Sequence, residues 1–171
     1  MFTKLTASLF ILCAMAIFGL APTVALAASA KDTGSLEGEV VKRDVQPIPD
    51  QEGHVLILSE SKGKASNPGG PVDGYDFSIR EALDLRQGSG SQRGYVIYSK
   101  GSDQRVVAIE GNVTTTMKNG QPNTTVKGDW TLTAPAGTQG KGTYSGYFTS
   151  ADKFHVDWTG EIGSKNEAKA N

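Results

Sequence analysis

The sequence predicts an all-β domain: a single antiparallel, mostly meander β-barrel of about eight strands. Three features point there. Glycine fills 21 of 171 positions while aromatics hold at 8%, against a background of roughly 7% glycine. Short apolar runs alternate with glycine-bearing turns along most of the chain. Residues 75–86 show period-two alternation, with Tyr75, Phe77, Ile79, Leu83 and Leu85 on one parity and Asp76, Ser78, Arg80, Asp84 and Arg86 on the other, the mark of a strand with one buried face.

The elements follow in order. Residues 36–43 and 54–60 read as the first strands, separated by the Pro47-Ile48-Pro49 region. Residues 61–74 read as a long loop, because Asn67-Pro68-Gly69-Gly70-Pro71 suits neither strand nor helix. The segment 75–86 is the third strand, with a short helix over 80–83 as its rival on local propensity. Gly88-Ser89-Gly90 is expected to turn the chain into 94–100, and Gly101-Ser102-Asp103 into 105–117. Asn119-Gly120 is the strongest hairpin signal, since both residues accept positive φ. Residues 124–133, 142–150 and 154–162 complete the set. Links this short favour antiparallel neighbours, and closure into a barrel removes the exposed edges of an open sheet. A β-sandwich is the alternative. An outer-membrane barrel is disfavoured by four charges on the polar parity of 75–86.

Residues 1–27 read as a cleaved secretory signal peptide. Lys4 gives the positive start, Leu9 to Leu20 the apolar run, and Ala25-Leu26-Ala27 the small residues before cleavage, with Ala30 as a second exit. The apolar run is shorter than the ~20 residues of a membrane span, so no transmembrane span is expected after cleavage. Cys13, the only cysteine, leaves with this segment, which excludes disulfides and thiol chemistry from the mature chain. Residues 28–35 read as a flexible N-terminus, 36–162 as the barrel and 163–171 as a polar tail. Export to the periplasm or the extracellular space follows.

Charge is nearly balanced, with 17 Lys+Arg against 18 Asp+Glu, so no basic surface for nucleic acid is expected. The C-terminal half carries Gly128-Asp129-Trp130, then Gly140-Lys141-Gly142-Thr143-Tyr144-Ser145-Gly146, then Phe154-His155-Val156-Asp157-Trp158-Thr159-Gly160. This glycine–aromatic series resembles small exported bacterial barrels of the allene oxide cyclase-like or lipocalin-like (calycin) type. The resemblance implies a fold and no catalytic residue.

No loud chemical motif is present. His54 and His155 have no partner at metal-ligand spacing, so both read as turn or surface residues, and neither a metal nor a cofactor is expected. No G-x-S-x-G elbow or phosphate loop occurs. Arg80, Arg86, Arg93 and Arg105 read as solvated, one of them within possible reach of Glu81. Glu81 breaks its local rule by lying on the apolar parity of 75–86. Either it faces the interior, paired or hydrated, or a bulge turns it to solvent. Glu81 is therefore the one catalytic candidate, and Tyr75, Phe77, Glu81, Trp130, Tyr144, Phe148, Phe154 and Trp158 are the candidate ligand-binding set. The expected function is a non-enzymatic exported barrel that binds a small apolar or amphipathic ligand. A cavity-type isomerase or cyclase, and a barrel filled by its own side chains, are the alternatives.

Overall fold

Strand-forming runs joined by tight turns close here into a ring. The computed structural model describes residues 29–164; the predicted signal segment with Cys13, and the tail beyond Ser164, lie outside the described residues. Eight strands follow in chain order: β1 (Ala30–Pro47), β2 (His54–Ser66), β3 (Asp76–Arg86), β4 (Ser89–Lys100), β5 (Asp103–Lys118), β6 (Gln121–Ala134), β7 (Thr138–Phe148) and β8 (Lys153–Ser164). Each pairs antiparallel with the next and β8 pairs with β1, so the barrel is closed and wholly up-and-down. Residues 80–83 are strand, not helix: they sit in ladders on both sides, from Glu60↔Arg80 to Leu83↔Gln92.

The hairpin chemistry is visible in the backbone. Asn119 and Gly120 have φ of 51° and 75°, and Gln87 and Gly88 have 50° and 79°, the paired positive values that match the twist of the flanking strands. The β3–β4 turn therefore sits earlier than the expected Gly88-Ser89-Gly90, and Ser89 and Gly90 already pair with Arg86 and Leu85.

Three boundaries move outward. Residues 28–35, expected to be flexible, include the start of β1: Ala30 to Ser35 pair with Ile162 to Asp157 of β8, because ring closure needs a full-length partner there. Gly163 and Ser164, expected in the tail, extend β8 against Gln139 and Thr138. Residues 61–66, expected in a loop, extend β2, with Ser61 and Ala65 buried and the alternating Lys62 and Lys64 outside. Small inward residues gave this stretch too little apolar contrast to read as strand.

The core is the barrel lumen, filled by Leu36, Phe77, Val96, Ile109, Val126 and Leu132 among others. A β-bulge between Val40 and Lys42 shifts the register of β1 against β2. The lumen-facing parity changes with it, so that Leu36 lies in the core and Arg43 lines the other half of the lumen. Three glycine pairs lie directly opposite one another across strands: Gly38↔Gly63, Gly111↔Gly128 and Gly142↔Gly160. An aromatic side chain covers each. A Cβ would stand 2.8 Å from the Phe77 ring at Gly63, 2.7 Å from the Tyr144 hydroxyl at Gly128 and 2.3 Å from the Trp130 ring at Gly160. The wall is thinned where a ring must lie flat on it.

Candidate functional site

Two chambers divide the lumen. The lower one is closed by residues 67–75, whose anchor is the fully buried Asn67. Its side-chain amide donates to Asp32 Oδ1 at 3.1 Å and to the Thr33 carbonyl at 2.7 Å, while its Oδ1 accepts from the Val72 amide at 3.1 Å. Asp32, also buried, accepts from Trp158 Nε1 at 2.8 Å. These bonds satisfy the polar groups that the plug carries inside. Above them remains a cavity of about 70 Å³ walled by Val72, Tyr98, Trp130, Leu132, Trp158 and Ile162. Burial pushes the Tyr98 hydroxyl well above the usual tyrosine range, helped by Asp32.

The upper chamber is far larger, about 640 Å³, and opens at the opposite end of the barrel. Its walls are mostly apolar, from Ile57, Ile79, Leu83, Val113, Phe148 and Phe154, with Glu81, Gln92, Ser61, Thr115 and Thr124 among them. Glu81 holds ladder register between Ser59 and Gly94, so no bulge turns it outward. Gly94 makes the space: a Cβ there would stand 2.7 Å from the Glu81 Cβ.

A hydrogen-bonded chain crosses the barrel at this level. Ser59 Oγ donates to Glu81 Oε1 at 2.9 Å, and Gln92 Nε2 donates to Glu81 Oε2 at 2.5 Å. Tyr144 Oη, reaching over the Gly111↔Gly128 pair, donates to Gln92 Oε1 at 2.8 Å. The polarity of the chain follows from its end member. An ionised carboxylate only accepts, so Gln92 must turn its NH₂ toward Glu81 and its carbonyl toward the Tyr144 hydroxyl. Burial, and then the Glu81 charge, raise the Tyr144 pKa, which keeps this hydroxyl protonated as a donor.

The predicted residues divide among three places. Glu81, Phe148 and Phe154 line the upper chamber, while Trp130, Tyr144 and Trp158 line the lower. Tyr75 and Phe77 are buried and line neither chamber. Tyr75 belongs to the closed end, where its hydroxyl donates to Asp103 and the Lys100 ammonium lies 5.4 Å from its ring centroid. Phe77 packs at 6.3 Å from Phe154 over the Gly38↔Gly63 pair. Ser59 and Gln92 were not foreseen. Their signal was there in the alternation, since each sits among apolar residues of its own parity (Ile57 for Ser59, Val96 for Gln92).

Two further readings change. His54 is no open turn residue; its side chain is buried, bonded to Asp50 through Nδ1 and to Asp84 through Nε2 at 2.9 Å. The hydrogen bond to Asp50, against some desolvation, raises its pKa, with Asp84 adding to the rise. Arg105 is not solvated either: its side chain is 22% exposed, lines the lower chamber and holds a buried Nε without a hydrogen-bond partner. Among the described residues no arginine forms an ion pair with Glu81; Arg93 instead pairs with Glu110 at 2.6 Å. His155 lies as expected on the outer face, bonded to Asp157 at 3.1 Å and beside Tyr147. No group of three or more His, Cys, Asp or Glu among the described residues is arranged to hold a metal.

Fold and chambers together define an up-and-down eight-stranded barrel, plugged at one end and open at the other, with a carboxylate part-way down. No family model matches the chain, nor does any curated protein or solved structure.

Proposed function

We propose that the protein is an exported carrier or receptor for a small amphipathic molecule, held in the upper chamber. One observation carries this reading: an open, mostly apolar-walled space of about 640 Å³ into which Glu81 and Gln92 of a hydrogen-bonded polar chain reach. Apolar walls with a few fixed polar groups are the usual make-up of a small-molecule site. The volume argues against a barrel filled by its own side chains. Likeness to the calycin or allene oxide cyclase-like barrels, and passage through the secretory route read from residues 1–27, belong to the same proposal.

A second reading, a cavity-type isomerase or cyclase, draws on the reach of Glu81 into the same space. A carboxylate that can meet a bound substrate is enough for proton transfer when the cavity supplies orientation. The two readings share the binding step. It is tested by titrating the cleaved protein with Nile red, a neutral apolar dye, and displacing the dye with neutral amphiphiles such as decanol. Saturable one-to-one binding, lost when a bulky residue replaces a chamber wall (Val113→Trp), supports the proposal. Absence of saturable binding by dye and amphiphiles alike would overturn it.

A further inference from the structure

Resting on the binding reading above, we infer that the upper chamber selects ligands by charge: its ligand carries a cationic ammonium or a comparable hydrogen-bond donor, and anionic amphiphiles such as fatty acids are rejected. A carboxylate offers about four lone-pair sites. Ser59 and Gln92 occupy one on each oxygen, and both are neutral donors. Among the described residues no Lys, Arg or His forms an ion pair with Glu81. The charge is thus solvated by two dipoles and by the open chamber; the other polar side chains of the lining, among them Ser61, Thr115 and Thr124, form no hydrogen bond with it. An apolar tail entering the chamber strips the remaining water from Glu81. That desolvation is unfavourable unless the ligand itself brings a donor.

An ammonium head supplies both the opposite charge and the missing donors, in surroundings that strengthen the attraction relative to water. A carboxylate head supplies neither and adds like-charge repulsion. Arg43 is the one cationic residue lining this chamber, but it is turned to the rim: its guanidinium lies 3.4 Å from both Asp152 Oδ1 and the Ala151 carbonyl. An anion bound there would still lay its tail over an unpaired Glu81. Tyr144 and Gln92 reinforce the bias, because the one hydroxyl hydrogen of Tyr144 goes to Gln92 and the Gln92 amide nitrogen is already turned to Glu81.

The test compares three probes that differ only in the head, decylammonium, decanol and decanoate, below their aggregation concentrations, by Nile red displacement and calorimetry. Wild type should bind decylammonium tighter than decanoate by about tenfold or more, the effect of one charge-assisted hydrogen bond. Glu81→Gln should erase that preference, and Glu81→Asp, which keeps the charge, should retain the ranking if the glutamine variant fails to fold. Decanoate binding as tightly as decylammonium, or a preference that survives Glu81→Gln, overturns the charge selection and leaves the binding reading intact. Failure of all three probes to bind overturns both.

Discussion

Replacing Gly160 by alanine adds a single methyl group to the inner wall, and the structure sets its cost. The new Cβ would lie 2.3 Å from Cζ2 of Trp130, 2.3 Å from the Lys141 carbonyl and 2.8 Å from the Cα of Gly142, where ordinary contacts are 3.4–4 Å. The indole would have to retreat by about 1.1 Å to regain 3.4 Å. It is buried and tied by Nε1 to the Thr159 carbonyl at 3.2 Å, and the Lys141 carbonyl is part of the β7 ladder. Overpacking of this kind costs about 1–3 kcal/mol and the loosened hydrogen bond about 1 kcal/mol. Removing glycine's freedom from the unfolded chain returns roughly 0.5–1 kcal/mol. The net loss is about 2 kcal/mol, or a fall in Tm of roughly 6–10 °C for a domain of this size. Thermal unfolding followed by circular dichroism measures it. Gly140→Ala is the graded comparison: its Cβ would be no nearer than 2.9 Å to any atom, and it should lose less than about 1 kcal/mol. Trp130→Phe removes the clashing Cζ2, so the double variant with Gly160→Ala should be less destabilised than the sum, by about 1 kcal/mol. An unchanged or higher Tm for Gly160→Ala, or strict additivity in the cycle, would refute the idea that the wall glycines exist to seat rings.

Asn67→Ala should cost about 2–3 kcal/mol by leaving Asp32 and the Val72 amide short of partners; urea unfolding reads the loss, and amide exchange should quicken at Val72 before it does in β4. The His54 cluster makes stability depend on pH in a stated direction. The folded-state pKa of His54 is raised by Asp50 and Asp84, so the stabilisation is complete below its unfolded value of about 6.5 and fades as pH rises through the folded value. Asp50, lowered by the same hydrogen bond, sets the acid limit, since its contribution fades as pH falls below about 4. The Tm gap between wild type and His54→Gln should therefore be widest between about pH 5 and 6 and narrow toward pH 9; a gap constant over that span would contradict the assignment.

Much of this barrel was legible in the chain, and the parts that were not have identifiable causes. The alternation at 75–86 and the Asn119-Gly120 turn gave strand and hairpin directly, because each is a local signal read by the backbone itself. Glu81 stood out for the same reason, being polar on an apolar parity. What locality hides is partnership. Residues 61–66 are strand because β1 lies beside them, and residues 30–35 are strand because β8 does. Neither fact leaves a mark in its own composition. The carboxylates around His54 come from a turn and from the adjacent strand β3, and Tyr144 meets Gln92 across 52 positions of sequence. The Gly–aromatic series pointed to a barrel, yet which ring lies on which glycine pair depends on the closed register. The plug at 67–75 was legible only as a loop, since nothing in Asn67-Pro68-Gly69-Gly70-Pro71 says that it folds inward.

An even number of strands has a consequence for the geography of the molecule. β1 starts and β8 ends side by side, with Ala30 opposite Ile162, at the end that Asn67 and Val72 seal. The mouth of the upper chamber lies at the far end, among the β1–β2, β3–β4, β5–β6 and β7–β8 turns. A tether joined to either end of the ring therefore pulls on its base and leaves the opening pointing away. Fixed to a bead, a sensor surface or a larger partner through its termini, the barrel would stand like a cup on its foot, open to whatever solution flows past.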